Sequence, residues 1–202
     1  MSALAIGRPP RVVEAALAVP AGPPRAGAVL CHPHPQYGGD MDNPVVVTVA
    51  RALVSAGVAT VRFNFGGVGR SQGRWSGGAD EVDDVRVAFD ALAARLGSHV
   101  PLTLVGYSFG AWAALQAAAN GTPAERIVAI APPLAFLDWS FLTAVTAPIA
   151  VVVGDRDQFC TAAHLATLPD QVRVRTIAAA DHFFSGREDE VAAAVVDRLT
   201  AS

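Results

Sequence analysis

The chain has 202 residues, 52% of them apolar, and this length favours one globular domain spanning residues 1–202. Its net charge is -3 and its 15 basic residues are all arginines without a basic run, so we expect no nucleic-acid partner. The lack of lysine excludes a Walker phosphate loop, a Schiff-base enzyme and a Ser-Lys dyad, because each of these needs that side chain.

Membrane and export signals are not recognisable in the sequence. No apolar run reaches the roughly 18 residues that a bilayer span requires, so no membrane partner is expected. The segment from Met1 to Pro10 lacks the charged region, apolar block and cleavage site of a signal peptide. We therefore expect a cytoplasmic protein in which Cys31 and Cys160 are reduced thiols.

Apolar runs of strand length alternate with longer amphipathic segments along the chain. This alternation is typical of β-α-β units on a mostly parallel sheet. Strands are predicted near residues 11–18, 27–32, 58–64, 101–106, 127–131, 148–153 and 172–178. Helices are predicted near residues 43–56, 80–96, 109–119, 161–167 and 187–199. The expected fold class is α/β, with a central, mostly parallel sheet of about seven strands flanked by helices.

The first polar motif, Cys31-His-Pro-His-Pro, follows the second predicted strand. A metal site of Cys31, His32 and His34 is disfavoured, because alternate residues of an extended segment point to opposite faces and no further cluster completes a tetrahedral set. We expect His32 to be a structural histidine that fixes the loop by bonding the backbone. No metal ion is expected.

The glycine-rich stretch Gly66-Gly-Val-Gly69 follows the third predicted strand. It lacks the spacing of a dinucleotide-binding fingerprint, since Gln72 stands where the third glycine belongs. We interpret it as a turn at the edge of the site, and no cofactor is expected.

The pentapeptide Gly106-Tyr-Ser-Phe-Gly110 lies between an apolar strand and an alanine-rich helix. A Gly-x-Ser-x-Gly at such a junction indicates a nucleophile elbow, in which a tight turn presents Ser108 and needs small residues on either side. The alternative is an ordinary glycine-rich turn between strand and helix. The two correct flanks favour the catalytic interpretation.

A nucleophilic serine needs a histidine base, and this chain has five histidines. Only His182 follows the last predicted strand, with an acidic residue before it and two phenylalanines after it. His99 and His164 are interpreted as solvated surface residues. His182 is therefore the predicted base.

The base in turn needs a carboxylate that orients it. Asp155 and Asp157 both follow the strand predicted at 148–153, and Asp157 stands far enough beyond it to reach His182. Asp155 is interpreted as a turn residue that bonds its own backbone. Asp138, after the preceding strand, is the rival of Asp157 for the role of catalytic acid.

These motifs, in the order Ser, Asp, His, resemble the α/β-hydrolase superfamily across essentially the whole chain. The segments 31–46 and 62–73 are similar to those of small, lidless bacterial hydrolases related to dienelactone hydrolases. The resemblance implies a triad of Ser108, Asp157 and His182, and it names no substrate. The connection between the strands near 131 and 148 is too short for a lid domain.

The resemblance also implies an oxyanion hole, with the backbone N–H of Phe109 as its first donor. The second donor should come from the loop after the second predicted strand, where prolines 33 and 35 have no N–H. His34 is the expected donor, with Gln36 and Tyr37 as alternatives.

The predicted function is that of a serine hydrolase that cleaves a small carboxylic ester through an acyl-enzyme, with a thioester or a lactone as alternatives. Tyr37, Trp139 and Phe159 are the expected substrate-binding residues. Other aromatic residues on the same loops are assigned either to the pocket or to the core: Trp75, Phe136, Phe141 and Phe184. A non-catalytic binding module of the same fold, or an acyltransferase or perhydrolase, stays an alternative. A homodimer is left open.

Overall fold

The computed structural model describes residues 3–200, in which eight strands form one sheet in the order β1-β2-β4-β3-β5-β6-β7-β8. The strands are β1 Ala3–Arg8, β2 Arg11–Ala18, β3 Ala26–Cys31, β4 Val58–Phe63, β5 Leu102–Tyr107, β6 Arg126–Ile130, β7 Ile149–Gly154 and β8 Arg173–Ile177. The helices are α1 Pro44–Ser55, α2 Ala79–Leu96, α3 Phe109–Ala119, α4 Ala162–Leu165 and α5 Glu188–Thr200. The predicted α/β architecture is confirmed.

The sheet is parallel from β4 to β8, and β1 and β2 form an antiparallel edge. The count of about seven strands is corrected to eight, because β1 was not recognised in the sequence. Most of β1 is exposed and Gly7 interrupts its short apolar run, so this edge strand has no pattern of buried residues to reveal it.

Helices cover both faces of the sheet. The apolar sides of α2 and α3 pack on one face, and those of α1 and α5 pack on the other. Strands β4, β5 and β7 are buried at every residue, as expected for strands that are covered twice. None of the helices within residues 3–200 is both long and apolar enough to cross a membrane.

Two carboxylates in the first turns of α2 are buried. Glu81 is fully buried and accepts hydrogen bonds from the Ser76 N–H, the Ser76 hydroxyl and the Gly78 N–H. Asp84 is also fully buried and accepts from the Gly66 N–H at 2.8 Å and from Arg11 at 2.9 Å. The two carboxylates therefore fix both ends of the glycine-rich loop between β4 and α2.

The connection between β6 and β7 packs against the body of the protein. Trp112 of α3 donates its indole N–H to the carbonyl of Asp138 at 3.0 Å, and the side chain of Leu142 is buried. The N–H of Ala135 donates to the carbonyl of Phe159 at 3.1 Å, which ties the connection to the loop after β7. The lid-free fold expected from the sequence is confirmed.

Candidate active site

Ser108 occupies a strained turn between β5 and α3. Its backbone has φ 54° and ψ -119°, a conformation that costs on the order of 1–3 kcal/mol for a residue with a side chain. A Cβ atom at Gly106 would lie 2.2 Å from the carbonyl oxygen of Gly110, and one at Gly110 would lie 2.3 Å from that of Cys31. Both flanking positions therefore require glycine, because α3 packs directly against β5 and the end of β3.

The structure brings Ser108, His182 and Asp157 into one hydrogen-bonded chain. His182 Nε2 lies 3.0 Å from Ser108 Oγ, and His182 Nδ1 lies 2.9 Å from Asp157 Oδ2. The side chain of Asp157 is 0% exposed and that of His182 is 6% exposed. Since the buried carboxylate can only accept from Nδ1–H, the neutral ring has its free lone pair on Nε2, facing the serine.

Asp157 is held in place by the backbone of its own loop. Its Oδ1 atom accepts the N–H of Phe159 at 2.8 Å and the N–H of Cys160 at 3.2 Å. These two donors occupy the oxygen that does not face His182, so the carboxylate cannot rotate without losing both bonds. The loop thereby orients Oδ2 toward the imidazole.

The loops that carry Asp157 and His182 are bonded to each other. The N–H of Arg156 donates to the carbonyl of Ala180 at 2.9 Å, and a Cβ atom at Gly154 would lie 2.2 Å from the same oxygen. The hydroxyl of Tyr107 donates to the carbonyl of His182 at 2.9 Å and anchors the histidine loop to β5. Burial raises the pKa of Tyr107, so this hydroxyl stays a donor. Sequence reasoning missed Tyr107, although it directly precedes the serine.

The other candidate acids and bases lie elsewhere. The carboxylate of Asp138 is exposed and bonds the N–H and hydroxyl of Ser140, which starts a short 3-10 turn. Asp155 is exposed, and within residues 3–200 its carboxylate makes no hydrogen bond, so the expected bond to its own backbone is absent. His99 is exposed, and His164 caps the short helix α4. Asp157 is the carboxylate that reaches His182.

The loop after β3 presents a free backbone donor beside Ser108. The N–H of Gln36 donates to His34 Nδ1 at 3.2 Å, and that of Tyr37 donates to the His34 carbonyl at 3.1 Å. Neither the N–H of His34 nor that of Phe109 donates a hydrogen bond in the part of the chain that the structure describes. Of the three candidates for the second oxyanion donor, only His34 therefore has a free N–H.

The imidazole of His34 is enclosed by aromatic rings. Ring centroids of Trp75, Tyr37 and Phe109 lie 4.5, 4.6 and 5.2 Å from it. Burial lowers the pKa of His34, and the nearby carboxylate of Glu81 raises it in part. Trp75 belongs to the loop that Glu81 fixes, so this buried carboxylate supports the wall behind the candidate oxyanion hole.

His32 has the structural role expected from the sequence. It is fully buried, with Nδ1 2.6 Å from the carbonyl oxygen of Pro33 and Nε2 accepting the N–H of Phe65 at 3.0 Å. Nδ1 therefore carries the proton and the ring is neutral. Burial is the largest cause that lowers the pKa of His32, to about 4. The histidine joins the loop after β3 to the loop after β4.

This buried histidine leads to a pH prediction for stability. In the unfolded chain the pKa of His32 returns to about 6.5, so protons bind the unfolded state preferentially and stability falls as pH falls below that value. Neutral His32 contributes about 3 kcal/mol to the free energy of unfolding above pH 6.5, and this contribution is absent below pH 4. Between pH 7 and pH 5, the free energy of unfolding measured in urea is expected to fall by about 2 kcal/mol more for the wild type than for His32→Gln.

The change with pH, and not the absolute stability of His32→Gln, is the readout of that comparison. Other titrating groups contribute equally to both proteins. Equal losses for the two proteins between pH 7 and pH 5 would contradict the neutral, buried state of His32.

An open cleft of about 630 Å³ lies in front of Ser108. Aromatic rings dominate its lining, and three of them stand at its rim: Tyr37, Phe136 and Phe183 are 87%, 68% and 58% exposed. The remaining lining residues are Pro33, His34, Gly38, Gly39, Asn43, Tyr107, Ser108, Phe109, Pro133, Leu137, Phe159 and His182. The cleft is wide enough for a small organic ligand.

The expected substrate-binding residues are only partly brought together. Tyr37 and Phe159 line the cleft, but Trp139 does not, and its place in the substrate pocket is corrected. Trp139 instead packs on the core beneath the connection between β6 and β7 and lines a separate cavity of about 310 Å³. Its position after β6 suggested the cleft, but the ring packs against Phe141 and the core.

Other aromatic residues also divide between cleft and core. Phe136 lines the cleft, whereas Phe184 is fully buried among α5 and the sheet. Its neighbour Phe183, which sequence reasoning did not single out, faces the cleft instead. Trp75 and Phe141 pack against the aromatic residues of α3.

Comparisons with known proteins show the family to which this chain belongs. The family profile described as "Alpha/beta hydrolase domain" matches residues 26–196. The uncharacterized protein RP471 of Rickettsia prowazekii is 34% identical over 184 residues, which cover 85% of this chain and 77% of that protein. An alpha-beta serine hydrolase homologue from Coxiella burnetii superposes with a TM-score of 0.88 at 32% identity, over 98% of this chain and 97% of that one.

A further solved structure, XC6422 from Xanthomonas campestris, is described as a serine hydrolase of this class without a lid. It superposes with a TM-score of 0.87 at 31% identity and covers 100% of this chain and 96% of its own. The similarity to these structures therefore extends over the whole fold, including the short connection between β6 and β7.

Proposed function

The chain belongs to the alpha/beta hydrolase domain family, and on that premise we propose that it is a serine hydrolase that cleaves a small carboxylic ester through an acyl-enzyme. One observation carries the proposal. His182 Nε2 lies 3.0 Å from Ser108 Oγ while Asp157 holds the opposite nitrogen at 2.9 Å. This is the geometry that a serine needs to become a nucleophile at neutral pH.

In the first step, Ser108 Oγ attacks the ester carbonyl and its proton passes to His182 Nε2. The carbonyl π electrons move to oxygen and form a tetrahedral intermediate with a negative charge. Asp157 stabilises the imidazolium that results, through the hydrogen bond at Nδ1. When the intermediate collapses, the C–O bond to the alcohol breaks and His182 gives its proton to the departing oxygen.

The negative oxygen of the intermediate is stabilised by the two free N–H groups beside Ser108. The N–H of Phe109 lies at the N-terminus of α3, where backbone donors have no partner within the helix. The N–H of His34 is the second donor, held in position by the ring contacts of the His34 side chain. Removal of one such donor typically costs about 10² to 10³ in kcat.

In the second step, water hydrolyses the acyl-enzyme. His182 takes a proton from water as its oxygen attacks the acyl carbonyl, and returns that proton to Ser108 Oγ as the acid leaves. The same machinery is used in reverse order, so no further acid or base is needed.

Labelling with a fluorophosphonate tests the proposal most directly. We expect stoichiometric phosphonylation of Ser108, detected by intact mass and peptide mapping, because the reagent requires an activated serine. Absence of labelling in the folded protein would favour the non-catalytic binding module.

The open cleft also sets an expectation for acyl length. Each buried methylene is worth about 0.8 kcal/mol, but a cleft without a lid cannot surround a long chain. For nitrophenyl esters of increasing acyl length, kcat/KM is expected to stay flat or fall beyond about six carbons, without activation at lipid–water interfaces. Tenfold gains for each added pair of methylenes would contradict this expectation.

A further inference from the structure

Two phenyl rings pack on His182, and a third packs on one of them. The ring of Phe159 meets the imidazole edge-on, with centroids 4.7 Å apart and planes at 74°. The centroid of the Phe183 ring lies 5.5 Å from that of the imidazole, with the two planes at 90°. The ring of Phe136 packs on that of Phe159, with centroids 5.1 Å apart. All three side chains line the cleft. We call these residues the phenyl wall.

The phenyl wall is held in place. The N–H of Phe183 donates to the carboxylate of Asp181 at 2.9 Å, and that of Phe159 donates to Asp157 at 2.8 Å. The carbonyl of Phe159 accepts the N–H of Ala135, which ties it to the segment of Phe136. These bonds fix the backbone that carries the rings, so the loops do not need to be ordered when a ligand binds, which reduces the entropic cost of binding.

The direction of the reaction shows which part of an ester meets this wall. His182 protonates the oxygen of the departing alcohol, so that oxygen must come within hydrogen-bond distance of Nε2. The oxyanion, in contrast, points toward the N–H groups of His34 and Phe109. The alcohol portion of the ester consequently lies next to the rings that pack on His182.

The described lining of the cleft offers no carboxylate or guanidinium to pair with an ionised substrate. Within residues 3–200 it includes no Asp, Glu or Arg, and the Asn43 amide is among its polar groups. An anionic group on the alcohol would lose hydration against the phenyl wall without gaining a partner. An apolar group would instead remove the exposed faces of Phe136 and Phe183 from water.

We propose that the phenyl wall of Phe136, Phe159 and Phe183 is the leaving-group subsite, and that it selects esters of uncharged, aromatic alcohols. This inference rests on the proposed function, from which the direction of proton transfer is taken. Specificity then depends on the alcohol, because the rings that pack on His182 lie where the alcohol departs.

The test compares two acetates whose alcohols are similarly acidic, benzyl acetate and 2-methoxyethyl acetate. Both pass through the same acetyl-enzyme, so a difference in kcat/KM reports recognition of the alcohol before and during acylation. The wild type is expected to prefer benzyl acetate by about tenfold or more. Acetylcholine is included as a third substrate, because aromatic rings also bind quaternary ammonium groups.

The variants Phe183→Ala and Phe159→Ala are expected to reduce the ratio of kcat/KM for benzyl acetate to kcat/KM for 2-methoxyethyl acetate by about fivefold to tenfold. Phe183 is more than half exposed, so its truncation leaves the core intact. Tyr37→Ala removes an exposed ring that packs on His34, and it is expected to leave the ratio of kcat/KM for the two substrates unchanged. Val174→Ala, on the edge strand β8, controls for loss of an exposed apolar side chain away from the cleft.

Three results would overturn the assignment. One is equal turnover of the two neutral acetates by the wild type, and another is a benzyl preference that survives both phenylalanine substitutions. The third is a preference for acetylcholine over benzyl acetate, which would show that the phenyl wall selects cationic alcohols and not uncharged ones.

Binding of benzyl alcohol separates this inference from the proposed function. NMR titration of the Ser108→Ala variant is expected to shift resonances of the histidine loop at millimolar concentrations, and Phe159→Ala added to it is expected to weaken that binding. If no ester is hydrolysed but benzyl alcohol binds at the phenyl wall, the proposed function and the leaving-group role both fail, and the wall remains a binding site for aromatic alcohols. If benzyl alcohol does not bind there, the subsite assignment fails whatever the activity.

Discussion

Replacement of Ser108 by alanine is expected to lower turnover of nitrophenyl acetate by about 10⁴- to 10⁶-fold while the protein stays folded. The variant removes the nucleophile, and the oxyanion donors and the cleft remain. Alanine is smaller than serine, so it fits the crowded turn between Gly106 and Gly110. Steady-state kinetics with an active-site titration of the wild type measures the change, and circular dichroism with thermal unfolding verifies the fold.

Ser185→Ala is the matched control for that measurement. Ser185 is an exposed serine on the histidine loop, and its hydroxyl makes no hydrogen bond within residues 3–200. Its removal is expected to change kcat/KM by less than about twofold. Near-wild-type activity in Ser108→Ala would refute the triad as the catalytic machinery.

The second large effect is expected for Asp157→Asn, with a loss of about 10⁴-fold in kcat. Oδ1 of Asp157 accepts two backbone N–H groups, so the amide oxygen of asparagine takes that position and the NH₂ group faces His182. This group donates to Nδ1 and forces the imidazole proton onto Nε2. A ring protonated at Nε2 cannot accept the proton of Ser108, although every side chain keeps its place.

The nitrogen-15 chemical shifts of the His182 ring test whether Asp157 sets the tautomer, because they would not change if Asp157 had only a structural role. They are expected to report exchange of the Nδ1–H tautomer for the Nε2–H tautomer in Asp157→Asn. Asp138→Asn changes an exposed carboxylate that bonds Ser140, and it is expected to retain activity within about threefold. If Asp138→Asn is the inactive variant instead, the acid is wrongly assigned.

The outline of the fold could be read from the sequence, because the strands covered on both faces are continuous apolar runs. Such runs include Ile149–Gly154 and Leu102–Tyr107, and each is followed by a turn and a helix. β1 could not be recognised in this way, because an exposed edge strand buries few side chains and needs no apolar pattern. Its pairing with β2 comes from backbone hydrogen bonds that the side chains do not encode.

The elements of the candidate site were also visible in the sequence as local signals. A serine between two glycines at a strand–helix junction is constrained by local backbone geometry. A histidine and an aspartate after later strands follow from the rule that loops at the carboxyl ends of parallel strands meet. These signals named Ser108, His182 and the two possible acids, Asp157 and Asp138.

Only the tertiary structure decided between alternatives that are equal in sequence. Asp157 and Asp138 both follow a strand, but the bonds of Arg156 and Phe159 place one carboxylate against His182 and leave the other in solvent. Phe183 and Phe184 are identical neighbours, yet one faces the cleft and the other fills the core beneath α5. The sequence by itself determined which residue types follow which strand, whereas the direction of each side chain depends on packing between segments far apart in the chain.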